Sequence, residues 1–333
     1  MAGNRSLDKM KLVTSCVLQL GIVLATAAAP TLAQTQPYPN RPIRFIVGFL
    51  PGGSSDLVSR LLGQKISERL GQPVVVENNT AGGGTGADLA VARAAPDGYH
   101  LVLLSGGVPS AAAVRKTLPY DPAKDFAHIS IVTTYPMVIS VVPNSPHKTL
   151  AELLAFSKAN PGKVSFSMSM VGSLHHLLGE WINIEAGTTM MGVPYKGPSA
   201  AIIDVAGGRV DVMIETATFS FGQIRGGKLR PLAISSDGRY PLLPETPTVA
   251  ETLPAIAFSS WLGLVTTPGT PRPIVDILNR EVRAIVEMAD VKQRLADLGG
   301  VPASSTPEEM RARIEREVAR WKQVVEVKNI ERQ

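Results

Sequence analysis

From residue 41 onward the apolar positions switch repeatedly between short unbroken runs and a spacing of three and four. Ile43-Arg44-Phe45-Ile46-Val47 is a run of buried-strand type, and Pro51-Gly52-Gly53 turns the chain after it. Ser54 or Ser55 stands where a helix cap belongs. The helix it opens carries the stripe Leu57, Leu61, Leu62, Ile66 and Leu70, and Gly71 stops it. Val74-Val75-Val76 predicts a second strand, residues 87–95 a second helix, and residues 100–104 a third strand after the Pro96-Asp97-Gly98 turn. A β-α-β-α-β order predicts a parallel sheet with helices on both faces.

The alternation resumes in the middle of the chain. Residues 150–160 predict a helix closed by Pro161-Gly162, residues 164–167 a strand, and Gly172-Ser173 the start of a helix through Glu180. Residues 210–214 and 230–235 read as further strands. Near the end, Ile274, Leu278, Val282, Ile285 and Val286 stripe one helix, and Met310, Ile314, Val318, Trp321 and Val325 stripe the last. No low-complexity linker divides the chain, so two domains imply one interrupted by the other. Crossings near residues 129–142 and 254–264 are the expected hinges. A cleft between two α/β lobes is where a small ligand binds.

The N-terminus changes the compartment. Arg5, Lys9 and Lys11 precede a mostly apolar stretch over residues 12–29, and Thr31-Leu32-Ala33 offers small residues for cleavage near Ala33. Thr14, Ser15 and Gln19 interrupt the stretch, which makes it a poor membrane span. The expectation is a signal peptide over residues 1–33 and export to the periplasm. Cys16 is the only cysteine and falls inside the signal, so no disulfide or thiol chemistry is expected. Losing the signal lowers the net charge from +5 by the three basic residues and Asp8, to a mild excess with no basic cluster. Nucleic-acid binding is not expected.

Three motifs resemble catalytic or cofactor signatures. Gly82, Gly84 and Ala87 form a G-x-G-x-x-A pattern, but no carboxylate ends the following strand to take a ribose. The plainer reading is a tight loop whose backbone approaches something closely. His175-His176 with Glu180 offers too few ligands for a metal. Ser173 near His175 invites a nucleophile reading, but no G-x-S-x-G elbow surrounds it. No cofactor, metal or catalytic residue is expected. What remains are polar or glycine-rich loops at the C-terminal ends of strands, at residues 52–55, 82–85, 105–107 and 169–173. That edge of an open parallel sheet binds ligands, which makes Gly83, Ser105, Ser169 and Met170 candidates. Where such a loop opens a helix, backbone N–H groups and a positive dipole end meet the ligand. None of these loops holds Arg or Lys, so an anion would be held by neutral donors.

The segments Tyr38-Pro39-Asn40-Arg41-Pro42-Ile43, Pro51-Gly52-Gly53 with Asp56, and Gly71-Gln72-Pro73-Val74-Val75-Val76-Glu77-Asn78 form a connected pattern. Pro96-Asp97-Gly98-Tyr99, Leu118-Pro119-Tyr120-Asp121, Val193-Pro194-Tyr195-Lys196-Gly197, Ser260-Trp261 and Thr306-Pro307-Glu308-Glu309 continue it in order. Together they resemble the Bug family, the periplasmic receptors of tripartite tricarboxylate transporters. The resemblance implies an α/β fold, the two-lobed type II-like periplasmic binding protein fold. Each lobe would be a mixed, mostly parallel sheet flanked by helices, with the cleft between them. Lobe 1 would comprise residues 37–138 and 259–333, and lobe 2 residues 139–258. The implied ligand is a small carboxylate, held in part by Gly52, Gly53, Ser54 and Asp56 after the first strand. Lobe 2 would add Gly172 and Ser173, the Tyr195-Lys196-Gly197 segment, and Glu215. Asp56 would orient loop N–H groups or water, or cap its helix, rather than face an anion.

Three departures bear on specificity. Met170-Val171-Gly172-Ser173 replaces a common Gly-x-Gly-Ser, Met168 stands where relatives often have Ser, and Ala111-Ala112 replaces an Asn-Pro pair. The expectation is a bulkier or more apolar acid than citrate, if these side chains face the cleft rather than the core. The implied role is a non-enzymatic, monomeric receptor that closes on its ligand and presents it to membrane permease subunits. A secreted serine hydrolase using Ser173 and a sensory receptor feeding a signalling partner are the alternatives.

Overall fold

In the computed structural model, which describes residues 38–332, the first strand β1 spans Ile43–Val47 and the helix after it, α1, spans Ser54–Leu70 with Gly71 as its cap. β2 (Val74–Asn78), α2 (Thr85–Ala92), β3 (His100–Ser105) and α3 (Gly107–Val114) follow. The signal-peptide expectation lies outside the described residues. β1 pairs in parallel with both β2 and β3, as the β-α-β-α-β pattern predicts. The stripe of α1 differs from its sequence reading. Asp56, Val58, Ser59, Leu62, Gly63 and Ile66 are buried, whereas Leu57 and Leu61 are only half-buried. Asp56 lies on the buried face because Gly52, Arg60 and Asn78 supply it with hydrogen-bond donors, which a count of apolar positions misses.

β4 (Ala127–Val141) is a 15-residue strand. Its first part pairs antiparallel with β9 (Ser259–Thr266), and its last part with β7 (Val212–Thr216) and β8 (Arg230–Ile234). β5 (Ser165–Met168) joins β7 and β6 (Met191–Pro194) in parallel. The order is β2-β1-β3-β9-β4-β7-β5-β6, with β10 (Val301–Pro302) also on β4. Every antiparallel pairing involves β4 or β9. These two strands are the crossings expected near residues 129–142 and 254–264, and they join the two lobes into one sheet. Arg41–Gln333 accordingly form one compact unit.

The remaining helices are α4 (Leu150–Ala159), α5 (Leu174–Ala186), α6 (Pro198–Ala206), α7 (Ala217–Arg225), α8 (Arg272–Val286), α9 (Ala289–Asp297) and α10 (Pro307–Val327). α10 begins in a capping box in which Thr306 accepts from the Glu309 N–H and Glu309 accepts from the Thr306 N–H. Its single apolar stripe serves two cores. Met310 and Ile314 pack with Ile131 and Trp261, whereas Trp321, Val324 and Val325 pack with Trp181 and Phe258. Trp321 meets Trp181 and Phe258 edge to face, at centroid distances of 5.8 and 5.2 Å. Such pairs contribute about 0.5–1.5 kcal/mol each beyond area burial.

The glycine run after β2 is the tight loop of the plainer reading. It forms a 3₁₀ turn over Ala81–Gly84. Gly84 has φ of +99°, and a Cβ on Gly48, just beyond β1, would come within 2.8 Å of the Gly84 Cα. The glycines let two backbones touch.

Candidate functional site

The site begins with a helix start that no side chain caps. Gly53 holds the extended N-cap conformation of α1 and has no side chain to offer. Leu57 donates the first helical bond, to the Gly53 carbonyl at 2.9 Å. The N–H groups of Ser54, Ser55 and Asp56 are therefore left without helical partners at the positive end of the dipole. Behind them lies the Asp56 carboxylate, 2 % exposed. It accepts from the Gly52 N–H at 2.9 Å, from Asn78 Nδ2 at 2.9 Å and from Arg60 Nε at 3.0 Å. Burial alone would push this carboxyl up, but the bonds from Arg60, Gly52 and Asn78 outweigh it and hold it at about 2. Asp56 is ionised and saturated by the protein's own donors. It fixes the turn, as the sequence reading expects.

Ser54 and Ser55 open onto a cleft of about 560 Å³. Phe49, Gly53 and Ser105 line it beside β1, α1 and β3, and Tyr135, Ser260, Trp261 and Leu262 line it from β4 and β9. α6, β7 and α7 contribute Pro198, Glu215, Thr216, Thr218 and Phe219. Most of the wall is apolar or aromatic. Among the described residues, no Lys or Arg lines it, and Glu215 is its one carboxylate.

Glu215 ends β7 and is tightly held. Its Oε1 accepts from the Thr216 N–H at 2.7 Å and the Thr216 hydroxyl at 3.0 Å, and lies 3.2 Å from His175 Nε2. Burial pushes its carboxyl up, but the bonds from His175 and Thr216 pull it below the usual range. The other ring nitrogen of His175 lies 3.3 Å from the Ser169 hydroxyl. A chain Ser169–His175–Glu215 thus reaches the cleft.

Gly53, Ser54, Ser105 and Glu215 are the sequence candidates that line the cleft. Gly52 and Asp56 lie directly behind it. Gly83 sits in the 3₁₀ turn after β2. Gly172 and Ser173 do something other than present free donors. The Gly172 N–H donates to His176 Nδ1 at 3.0 Å, and the Ser173 hydroxyl caps α5 by accepting from the His176 N–H. Gly172 has φ of +76°, and a Cβ there would meet Val114 Cγ1 at 2.3 Å. Substituting Gly172 therefore disturbs packing and does not isolate an anion contact. Tyr195 donates to Asp204 at 2.7 Å, while Lys196 is exposed and Gly197 is the N-cap of α6. Met168 is buried in a hydrophobic core with Phe166 and Leu177, so it faces the core rather than the cleft. Met170 and Val171 are exposed at the loop tip, off the cleft wall.

The aromatic wall was missed. Phe49 is 43 % exposed in the turn after β1, an unusual place for a large apolar side chain, and that was a usable signal. Tyr135 lies inside an almost wholly buried strand and gave no signal.

Residues 58–330 match the model of the tripartite tricarboxylate transporter family receptor. The chain belongs to this family. It is 37 % identical to Protein BugT of Bordetella pertussis over 318 residues, covering 94 % of this chain and 97 % of BugT. The solved structure of periplasmic binding protein BugD superposes with a TM-score of 0.71 at 33 % identity, covering 89 % of this chain and all of BugD. MatC from Rhodopseudomonas palustris with bound malate superposes with a TM-score of 0.69 at 31 % identity, over 86 % of this receptor and all of MatC. The receptor thus has the two-lobed binding-protein fold of its Bug-type relatives.

Proposed function

We propose that this receptor captures, in the periplasm, a small carboxylate with an apolar body and a hydrogen-bond donor, and delivers it to a tripartite permease. The observation that carries this reading is the chemistry of the cleft. The start of α1 offers neutral N–H donors to one carboxylate, aromatic side chains offer area to an apolar body, and Glu215 accepts hydrogen bonds. A second ligand carboxylate would meet Glu215 with no Lys or Arg on the wall to offset the repulsion. The malate held by MatC is a dicarboxylate with a hydroxyl donor, so the ligand proposed for this cleft differs from that relative's in having one carboxylate. The lobes are residues 37–138 with 259–333, and residues 139–258, swinging about β4 and β9. Closure brings Ser169, Met170, Gly172, Ser173 and the Tyr195–Gly197 segment onto the ligand. The receptor acts as a monomer after cleavage near Ala33.

A thermal-shift screen of small carboxylates tests this. Aromatic or branched monocarboxylates with a hydroxyl or amine should stabilise the protein more than citrate does. Glu215→Gln should narrow that gap by about 1 kcal/mol or more. Tight citrate binding, unchanged in Glu215→Gln, would overturn it. A second reading has one specific observation behind it, the Ser169–His175–Glu215 chain, which has the order of a nucleophile, base and orienting acid. Under the receptor reading, activated esters are not turned over faster than by a Ser169→Ala variant. Turnover that falls in that variant would make the protein a hydrolase.

A further inference from the structure

β4 and β9 form a ribbon with a cavity on each face. Tyr135 and Ser260 look into the ligand cleft, while their neighbours Thr134, Pro136 and Ser259 line a second cavity of about 520 Å³. Residues adjacent along a strand point to opposite faces, so the ribbon separates the two spaces. The second cavity is closed by α10, by the loop after β8, and by Val301.

Its chemistry is the reverse of the cleft's. Arg239, Arg313, Arg316 and Arg320 line it, against the carboxylates Asp237 and Glu317. Arg313, Arg316 and Arg320 share one face of α10, a spacing at which like charges repel. Glu317 offsets part of this. It accepts from Arg313 Nε at 2.8 Å and from the Trp261 indole at 2.9 Å. Arg239 pairs with Glu251 at 2.9 Å. Arg316 and Arg320 have no ion pair among the described residues. Two of the guanidinium groups are held in place by other contacts. Arg313 Nη2 donates to the Ser259 carbonyl at 2.7 Å, and Arg320 lies 4.5 Å over the Trp181 ring. A guanidinium presents paired donors in the plane that a carboxylate or phosphate accepts, and one held in place loses less freedom on binding.

We propose that this cavity is a second anion site, for a small multivalent oxyanion carrying two or more carboxylate or phosphate groups. The anion bridges Arg316 and Arg320, with Arg313 and Arg239 at its edges. Its volume, close to that of the cleft, suits a small molecule better than a protein segment. The site is distinct from the carboxylate site at the start of α1, with which it shares no lining residue.

Calorimetry on the ligand-free protein tests the assignment, with pyrophosphate and citrate as probes at two ionic strengths. One saturable site is expected. Arg316→Ala with Arg320→Ala should weaken it roughly tenfold or more, the scale of losing charge-assisted bonds. Ser54→Pro, which alters only the cleft, should leave it unchanged. If the double variant fails to fold, Arg316→Gln alone serves, since Arg316 is exposed, and a roughly threefold weakening is expected. Absence of saturable binding by both probes, or equal binding in wild type and arginine variants, would overturn the proposal. So would binding that Ser54→Pro abolishes, which would place the anion in the cleft, or binding of a polyglutamate peptide alone, which would make the cavity a docking surface.

Discussion

Two cavities of nearly equal volume, about 560 and 520 Å³, lie on opposite faces of the β4–β9 ribbon and hold opposite chemistry. The cleft has aromatic walls, one carboxylate and the neutral donors of a helix start. The other has four arginines. The partial charge of a helix N-terminus is worth about 0.3–1 kcal/mol to an anion at a surface. A charge-assisted guanidinium bond is roughly twice as strong as a neutral one. The cleft thus trades affinity for selection by shape. On the proposed reading, its ligand would be recognised by the apolar body and its carboxylate held by the neutral donors of α1. The arginine cavity, as proposed, would select mainly by charge.

The residue joining the two faces should show the largest effect. Trp261 is fully buried, lines the cleft, and donates its indole N–H to Glu317 in the wall of the second cavity. Trp261→Ala should cost about 3–5 kcal/mol in chemical denaturation, the range for truncating a buried Trp. Trp261→Phe keeps most of the packing but leaves Glu317 short of a donor, at about 1–2 kcal/mol. If the Phe variant costs as much as the Ala variant, the indole bond rather than packing joins the two faces.

Asp56 sharpens the cleft side through its pH dependence. Its carboxyl stands at about 2 in the folded protein against an ordinary 3.8. A depressed pKa gives stability that is complete above the ordinary value and lost as pH falls through the folded one. About 2 kcal/mol should therefore disappear between roughly pH 4 and 2. Asp56→Asn should lose a similar amount at neutral pH and flatten that part of the profile. Denaturation curves from pH 6 to 2 measure both, and an unchanged slope in the variant would place the acid sensitivity elsewhere.

Ser54→Pro tests the neutral donors directly. Ser54 is the first residue of α1, where proline is well tolerated, and Gly53 before it is already extended. The substitution removes one N–H and one hydroxyl without breaking the helix. Affinity for the cleft carboxylate should fall by about 1–2 kcal/mol while the unfolding midpoint stays put. Unchanged affinity would move the carboxylate away from α1.

Met170→Ser should have the smallest effect. Met170 is 60 % exposed, so stability should change by less than about 0.5 kcal/mol. If closure carries it onto the apolar body, affinity should drop by about 0.8 kcal/mol, one buried methylene's worth. No change would leave specificity to Phe49 and Phe219.

Much of this was legible beforehand because it is local. The limits of β1, the stop of α1 at Gly71 and the capping box of α10 are set by residues within a few positions of each other. Asp56 was read as an orienting or capping group because a carboxylate would not face an anionic ligand directly, and it accepts from the nearby Gly52 N–H. Gly172 was read as a ligand contact. It also packs on Val114, 58 positions earlier in the chain, and no spacing in the sequence announces that contact.

By itself the sequence determined β1 to β3 and their parallel order, the helices α1, α4, α5, α8 and α10, the family and the donors at the start of α1. All of these follow from short-range periodicity, capping chemistry and motif order. Only the tertiary structure decided which side chains share a space. Met168 went to the core while Met170 stayed exposed. Tyr135 and Thr134 were parted to opposite cavities, and Arg239 was brought to the arginines of α10. Those outcomes depend on how β4 and β9 cross and on what packs against each face. Such contacts are fixed by close packing between segments distant in the chain, and a one-dimensional pattern carries no record of them.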